Sequence, residues 1–195
     1  MPKTHDQAGE SKERAALTSK RAGRWESATW GDWEARARAI AAELAAAGVG
    51  KGDRVAIFAG TREEWAIADV AILLAGGVTV PIYPTLIGEQ AAYILRDSGA
   101  KVLFVEDAEQ LAKLEGEHEA AVSGLAKIVL IDGARGALFA AAARIATTWS
   151  ETLAAGAARS REEKRAVSDR AAEVAPADLA TIIYTSGTAS LTRSR

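Results

Sequence analysis

The chain has 195 residues, enough for one or two domains with a hydrophobic core of their own. Hydrophobic residues make up 49% of it, but 45 residues are alanines, and no apolar run approaches the roughly 18 residues that span a membrane. The absence of cysteine excludes a disulfide scaffold, a thiol nucleophile and a zinc site with cysteine ligands. The 24 basic residues are balanced by 26 acidic ones, so nucleic-acid binding is not expected. Only two histidines are present, so a histidine-based metal site is not expected either.

The first 24 residues predict a flexible lead-in rather than a targeting signal. They mix basic and acidic side chains and have no apolar run behind them, which a secretory signal needs. We therefore expect a cytoplasmic protein, with peripheral association at the inner face of the membrane as a second option.

From Trp25 onwards the hydrophobic pattern alternates between helices and strands. The apolar stripe that begins at Trp33 has helical spacing and ends at Gly48, whereas the strands are short and continuously apolar. Such strands are typical of a parallel sheet covered by helices on both faces, so the predicted fold class is α/β. In chain order the predicted elements are a helix over 33–47, a strand over 54–58, a helix over 62–75, a strand over 78–82, a helix over 89–97, a strand over 101–105, a helix over 108–114 and a strand over 127–131.

Two local signals add detail to this pattern. Thr61, with Glu64 three residues later, predicts a capping box at the start of the second helix. Pro81 and Pro84 predict that the second strand lies at an edge of the sheet or ends early, because proline cannot donate a hydrogen bond to a neighbouring strand.

Residues 132–177 differ in composition from the preceding part. They are rich in alanine, arginine and glutamate, show no strand pattern, and predict a loop with one or two solvated helices. Residues 178–184 then predict a fifth strand. The acidic stretch 106–119, which contains His118, predicts a solvated face rather than a metal site.

The fifth predicted strand leads directly into a short hydroxyl-rich motif, Thr185-Ser186-Gly187-Thr188. The motif would lie beyond the carboxyl end of a parallel strand, the edge at which open α/β sheets bind ligands. Hydroxyls and the backbone N–H groups of a tight glycine turn suit a polyphosphate. Taken alone, so short a motif is more typical of an ordinary polar turn.

The motif is one of several stretches that agree with a known family in both order and spacing. They are Gly23–Glu26, Thr29–Trp30, Gly48–Ile57, Arg62–Trp65, Ala75–Thr85, Ile94–Ala100 and Asp178–Thr188. With them the chain resembles the amino-terminal part of the AMP-forming acyl-CoA synthetases, the adenylate-forming ligases, over about residues 23–188. The opening pair of tryptophans, Glu64-Trp65 and the run Val80–Thr85 favour the long-chain fatty acyl branch over aryl or peptide-synthetase relatives.

This resemblance implies the activation of a fatty acid in two steps. The carboxylate attacks the α-phosphate of ATP to give an acyl-adenylate and pyrophosphate, and the thiol of coenzyme A then displaces AMP. ATP, Mg²⁺ and coenzyme A are therefore implied for the full-length family, with Mg²⁺ neutralising the phosphates. Thr185, Ser186, Gly187 and Thr188 would bind the β- and γ-phosphates, and Tyr184 would anchor the strand end. No catalytic residue and no metal ligand is predicted within this chain.

The chain departs from the family pattern after Thr188. The family continues with a second threonine, a glycine, a proline, a lysine and a glycine, but this chain reads Ala189-Ser-Leu-Thr-Arg-Ser-Arg195. We expect a truncation or a reading-frame shift there, and hence an amino-terminal fragment that is inactive alone. The alternatives are a non-catalytic nucleotide- or acyl-binding module derived from the same fold, and a flavodoxin-like protein that would bind FMN.

The chain is thus predicted to divide into four parts. They are a flexible lead-in over 1–24, an α/β subdomain over 25–131, a charged helical and loop connection over 132–177, and a strand with a truncated phosphate-binding loop over 178–195. Because the family continues beyond these parts, we expect the apolar faces of the helix that carries Trp65 and of the 182–184 strand to be exposed.

Overall fold

The computed structural model describes residues 12–21, 23–133, 136 and 138–185. Helices and strands alternate along most of this length. In chain order the elements are β1 (Ala15–Arg21), β2 (Arg24–Thr29), α1 (Trp30–Ala46), β3 (Arg54–Phe58), α2 (Glu63–Leu74), β4 (Val78–Ile82), α3 (Gly88–Ser98), β5 (Val102–Val105), α4 (Ala108–Ala112), a 3₁₀ helix (Gly116–Ala121), β6 (Lys127–Leu130), α5 (Ala140–Ala143), β7 (Ala146–Thr148), α6 (Trp149–Ala158) and α7 (Arg161–Ala172).

Strands β3 to β7 form one parallel sheet in the order β4-β3-β5-β6-β7. In its centre Ala56 of β3 lies opposite Val80 of β4 on one side and Leu103 of β5 on the other. Because the chain moves to one side of β3 for β4 and to the other side for β5, the sheet is doubly wound. The predicted α/β class is therefore confirmed, and so is the position of the proline-containing strand β4 at an edge.

Helices cover both faces of this sheet, and successive residues of a strand point to opposite faces. Ile57 and Phe104 point to the side covered by α1 and α2, whereas Phe58 and Leu103 point to the side covered by α3 and α4. All four side chains are fully buried. Burial on both faces explains why these strands are continuous apolar runs in the sequence.

A capping box is present in this part of the chain, but not where it was predicted. Helix α1 begins with one: the Asp32 N–H donates to Thr29 Oγ1 over 3.1 Å, and the Thr29 N–H donates to Asp32 Oδ2 over 3.2 Å. The prediction for Thr61 and Glu64 was wrong. The cap residue of α2 is Arg62, and the Glu64 carboxylate accepts a hydrogen bond from the Arg62 guanidinium over 2.8 Å instead.

Two strands contradict the sequence-based predictions. Residues 15–21, expected within a flexible lead-in, form the first strand of an antiparallel hairpin with β2. Residues 132–177, expected to contain no strand, contribute β7, which pairs with β6. Both were missed because their side chains give no apolar pattern: β7 is three residues long with two threonines, and much of the hairpin is solvent-exposed.

Helix α6 was expected to be solvated, yet it packs closely on α1. Trp149 and Thr152 on its inner side are buried, and the Trp149 ring meets the Phe104 ring edge to face, with centroids 6.1 Å apart. The closest approach is at Gly156, where an added Cβ would lie 1.9 Å from the Ala39 carbonyl oxygen of α1. Glycine is therefore required at this position, because any larger residue would push the two helices apart.

A buried carboxylate links α1 to the start of β6 and to the end of α6. Glu43 of α1 is 4% exposed and accepts hydrogen bonds from Lys127 Nζ at 2.7 Å and Arg159 Nε at 2.8 Å. Burial opposes the ionisation of Glu43, but the hydrogen bonds from the two cations outweigh it and lower its pKa. The ionised glutamate therefore connects α1, β6 and the residue that follows α6.

Candidate functional site

The predicted phosphate-binding motif falls at the end of the described chain. Of its four residues, Thr185 is described, whereas Ser186, Gly187 and Thr188 lie outside the described residues. The site can therefore be examined through the residues that lead into it. We call residues 178–185 the motif segment.

The motif segment does not form the predicted fifth strand. Among the described residues it pairs with the free side of β4 through a parallel bridge between Thr79 and Thr181. The Thr79 N–H donates to the Ala180 carbonyl over 3.0 Å, and the Thr79 carbonyl accepts the Ile182 N–H at 3.0 Å and the Thr181 hydroxyl at 2.9 Å. The segment is therefore attached to the sheet at a single position of β4 rather than along its length.

The residue of β4 that receives the segment is itself firmly fixed. Thr79 is 1% exposed, and its hydroxyl donates to Asp69 Oδ1 of α2 over 2.7 Å. This bond satisfies the single O–H donor of the buried hydroxyl within the protein. Thr79 thus connects α2, β4 and the motif segment.

The end of the segment next to the motif is anchored by Tyr184. Its hydroxyl donates to Asp97 Oδ2 of α3 over 2.6 Å, and its ring meets the Tyr93 ring edge to face with centroids 6.3 Å apart. Burial, together with the hydrogen bond to the Asp97 carboxylate, raises the pKa of Tyr184 well above its ordinary value. The hydroxyl therefore keeps its proton at neutral pH, and Tyr184, predicted to anchor the end of a strand, is bonded to α3 at the end of a segment that is not a strand.

The remaining contacts of the motif segment are mostly polar and close to solvent. At its start the Asp178 carboxylate lies 2.8 Å from Lys51 Nζ, and hydrogen bonds from Lys51 and from the Ala175 N–H lower its pKa. Leu179 is 60% exposed and Ile183 58% exposed. Ile182 and Tyr184 pack against the core on the α3 side, so the expected exposure of an apolar face of this segment is observed at Ile183 alone. The exposure expected for the helix that carries Trp65 is not observed, because Trp65 packs against the core on the other side of the sheet.

A polar cluster that the sequence analysis did not find lies at the carboxyl edge of the sheet. The Arg62 guanidinium donates to both carboxylate oxygens of Asp132, over 2.5 and 2.8 Å, and lies 3.7 Å from Glu106. Glu106 in turn accepts the Gly60 N–H at 2.7 Å. The hydrogen bond to Asp132 raises the pKa of Arg62 and outweighs the opposite effect of burial.

This cluster lies at the carboxyl ends of the neighbouring strands β3 and β5. The order of strands reverses between these two, and doubly wound sheets commonly bind ligands at such a switch point. Here the loops that follow β3, β5 and β6 are tied together by the protein's own ion pairs. The sequence held no periodic signal for this arrangement, because the partners are separated by up to 70 residues.

The hairpin and this cluster enclose an open groove of about 700 Å³. One wall is formed by residues 17–20 and Trp25 of the hairpin, and the other by residues 61–64 and Asp132. The Ser19 hydroxyl donates to Glu63 across it over 3.2 Å. Its described lining carries more carboxylates than cations, so it suits a polyphosphate poorly, and the hydroxyl motif remains the better candidate.

Two kinds of feature are absent from the described residues. No group of three or more histidine, cysteine, aspartate or glutamate side chains among them is placed to hold a metal ion, and His118 is near Glu117, at 3.7 Å. In the same part of the chain, no helix is long and apolar enough to cross a membrane.

Sequence comparison connects these features to known proteins. A family model described as AMP-binding enzyme matches residues 4–191. The long-chain-fatty-acid–CoA ligase FadD15 of Mycobacterium bovis is 39% identical over 166 residues, which are 85% of this chain and 25% of that protein. FadD15 of Mycobacterium tuberculosis shows the same identity and coverage. The chain spans about a quarter of the length of these curated relatives.

Solved structures agree with the sequence comparison at the level of the fold. A Mycobacterium tuberculosis fatty acyl CoA synthetase superposes with a TM-score of 0.66 over 94% of this chain and 32% of its own, at 23% identity. The anthranilate CoA ligase AuaEII superposes with a TM-score of 0.64 over 77% of this chain and 27% of its own, at 22% identity. At these identities the likeness concerns the arrangement of helices and strands.

Proposed function

Since this chain belongs to the family of AMP-binding enzymes, we propose that it forms the amino-terminal part of an ATP-dependent long-chain fatty acid–CoA ligase. The observation that carries the proposal is the 39% identity to FadD15 over 85% of the chain. The family match also continues through the Thr185–Thr188 motif. The proposed reaction is formation of an acyl-adenylate from a fatty acid and ATP, followed by transfer of the acyl group to coenzyme A.

In this proposal the motif binds the β- and γ-phosphates of ATP. Thr185, Ser186 and Thr188 offer hydroxyls, and Gly187 permits a close approach of backbone N–H groups, a donor set whose chemistry fits phosphate oxygens. Mg²⁺ would neutralise the phosphate charge during transfer. We assign none of the described residues to Mg²⁺ or to coenzyme A.

We further propose that these residues do not complete the reaction by themselves. The chain corresponds to about a quarter of the length of its curated relatives, so most of the residues that the relatives possess have no counterpart in it. Its role would be to provide the parallel sheet and the motif segment, on which the other parts of such an enzyme would pack.

A second candidate function is that of a non-catalytic nucleotide-binding module. It is supported by the burial of both faces of the sheet: α1 and α2 cover one face, and α3 covers the other. Such a module would bind MgATP or AMP saturably and catalyse nothing, which titration calorimetry on the 195-residue chain would detect.

Exchange of labelled pyrophosphate into ATP, with palmitate as the acid, tests the first proposal. We expect no exchange by the chain alone, and exchange by a chimera in which the chain replaces the matching quarter of Mycobacterium tuberculosis FadD15. Within the chimera, Thr185→Val should lower the exchange rate about tenfold through loss of a phosphate contact. Thr181→Val is the matched control, because that hydroxyl bonds to Thr79.

Each part of the proposal has an outcome that contradicts it. A chimera that melts at the temperature of FadD15 but shows no exchange would contradict the assignment to this reaction. Exchange by the isolated chain would contradict its dependence on further residues. Equal rates for the Thr185→Val and control chimeras would remove Thr185 from the phosphate site.

A further inference from the structure

We propose that the side of the motif segment that faces away from β4 is an interaction surface for a second copy of this chain. We call residues 179–183, seen from that side, the outer edge. Two copies would pair there as antiparallel strands about a two-fold axis at Thr181, which would join their sheets into one. The proposal goes beyond the proposed function and does not depend on it.

The backbone of the outer edge offers hydrogen-bonding groups to a further strand. The Ala180 carbonyl and the Ile182 N–H are both bonded to Thr79, so they point towards β4. Because successive residues of an extended chain direct these groups to opposite sides, those of the alternate residues point away from β4. The alternate residues are Leu179, Thr181 and Ile183. Among the described residues, none of their N–H groups has a backbone partner, which makes this edge a template for pairing with another chain.

The same alternate residues carry the exposed apolar surface of the edge. Leu179 and Ile183 are more than half exposed, and they share the α2 face of the sheet with Thr181, since Ile182 between them packs on the α3 side. With the two-fold axis at Thr181, Leu179 of one copy lies directly opposite Ile183 of the other, and this contact occurs twice. Pairing would therefore bury both apolar side chains together with the backbone groups.

The composition of the edge suits pairing with an identical segment. Residues 179–184, Leu-Ala-Thr-Ile-Ile-Tyr, contain no charged residue, no proline and no glycine. Segments of this kind with high β-propensity pair readily with copies of themselves when they are exposed on an edge. Because the window is uncharged, two copies bring no like charges together, and the two-fold arrangement is complete after two chains.

The other strand edges that the structure describes are protected against such pairing. β7, at the far edge of the sheet, has three residues, and the N–H of Thr148 is already bonded to Glu151. The hairpin carries charged side chains on both strands, among them Lys20 and Glu26. Short edge strands and charged side chains are the usual means by which proteins prevent edge pairing. The outer edge of the motif segment carries no charged side chain, which distinguishes it from the hairpin.

Sedimentation velocity of the 195-residue chain at about 10–300 µM tests the proposal. We expect a dimer whose fraction rises with concentration, because an interface made by one pair of strands is small. Leu179→Lys combined with Ile183→Lys places like charges opposite each other and should raise the dissociation constant at least about tenfold. Leu179→Lys combined with Ile183→Glu places opposite charges there and should restore the dimer. Ile87→Lys, at an exposed isoleucine outside the edge, is the control and should not change the dissociation constant.

A single introduced cysteine provides a second readout of the register, because the chain has no cysteine of its own. Thr181→Cys should give a disulfide-linked dimer under mild oxidation, since directly opposed residues in a hydrogen-bonded antiparallel pair have Cα atoms about 5.5 Å apart. Ile87→Cys should stay monomeric in the same oxidant.

A monomer at every concentration would overturn the proposal, and so would a dimer that the two lysines leave intact. Circular dichroism melting shows whether each variant is folded. A folded lysine–glutamate variant that remains monomeric, or equal cross-linking of Thr181→Cys and Ile87→Cys, would contradict the two-fold axis at Thr181.

Discussion

Strand β3 and the motif segment lie on opposite sides of the same strand, β4, and are held there in opposite ways. β3 pairs with β4 at five successive positions, from Arg54 opposite Val78 to Phe58 opposite Ile82. The motif segment shares one parallel bridge with β4, between Thr79 and Thr181. Both neighbours are apolar and rich in β-branched residues, so propensity does not distinguish them.

The difference lies in what covers each neighbour. Ile57 and Phe58 of β3 are fully buried between two helix layers, whereas Leu179 and Ile183 of the motif segment are more than half exposed. A free strand edge is therefore not sufficient to order a second strand along it. Continuous pairing here accompanies burial of side chains on both faces, and where burial is partial a few polar bonds hold the chain.

We expect the largest difference in the free energy of unfolding when an isoleucine side chain is truncated in β3 on one side of β4 and in the motif segment on the other. Ile57→Ala should lower the free energy of unfolding by about 4 kcal/mol, because it leaves a cavity in the packed core. Ile183→Ala, its matched control, should change it by less than about 0.5 kcal/mol. Urea unfolding followed by circular dichroism measures both. Comparable losses would mean that the motif segment is as tightly packed as β3.

A second contrast concerns carboxylates. Glu43→Gln should cost about 3 kcal/mol at pH 7, because it leaves the partly buried Lys127 without its counter-charge and Arg159 with its pair to Glu163 alone. Asp178→Asn removes a carboxylate of the motif segment whose pair with Lys51 is largely exposed, and it should have no effect that survives 0.15 M salt. Equal effects of both substitutions on the free energy of unfolding would contradict the expected difference between the buried Glu43 carboxylate and the exposed Asp178 carboxylate.

The Glu43 effect should also depend on pH. Because folding lowers the pKa of this carboxyl below its ordinary value of 4.5, the ionised form stabilises the fold above that pH. The stabilisation is lost as pH falls through the lowered folded-state pKa. The difference between wild type and Glu43→Gln, measured by unfolding at several pH values, should therefore be constant near neutrality and shrink in acid.

The smallest contrast concerns the two threonines that meet at the bridge. Thr79→Val removes the hydrogen bond that the hydroxyl of a fully buried residue makes to Asp69 and should cost about 1.5 kcal/mol. Thr181→Val removes a hydroxyl bond from a residue that is itself exposed and should cost less than about 0.5 kcal/mol. Thermal unfolding of the two variants checks the difference. A larger cost for Thr181→Val than for Thr79→Val would indicate that the motif segment contributes more to the stability of β4 than the bond between Thr79 and Asp69 does.

The same contrast explains which parts of the fold can be predicted from the sequence. Strands β3 to β6 were found within a residue or two, because burial on both faces leaves a continuous apolar run. The run over 178–184 has the same composition and was predicted as a strand, but pairing depends on what covers it, which local periodicity does not contain. The hairpin over 15–29 was missed for the converse reason, since its backbone pairs while most of its side chains stay in water.

The residues of the candidate site could be predicted from the sequence, but the residues that surround them could not. The hydroxyl motif and the anchoring role of Tyr184 could be stated from the sequence, yet the anchor Asp97 lies 87 residues away. Nor could the sequence show that Arg62 and Asp132 would close the switch point with ion pairs. Such partners are set by the order of strands in the sheet.

The approach of α6 to α1 at Gly156 has a consequence for how this protein can change. The contact is made between a glycine and the backbone of Ala39, so it uses atoms that every amino acid possesses. No substitution in α1 can make room for a side chain at Gly156, because the obstacle is the main chain itself. The α1 side of this contact should therefore accept helix sequences from homologues, whereas α6 can be exchanged only for a helix with glycine at the position of Gly156.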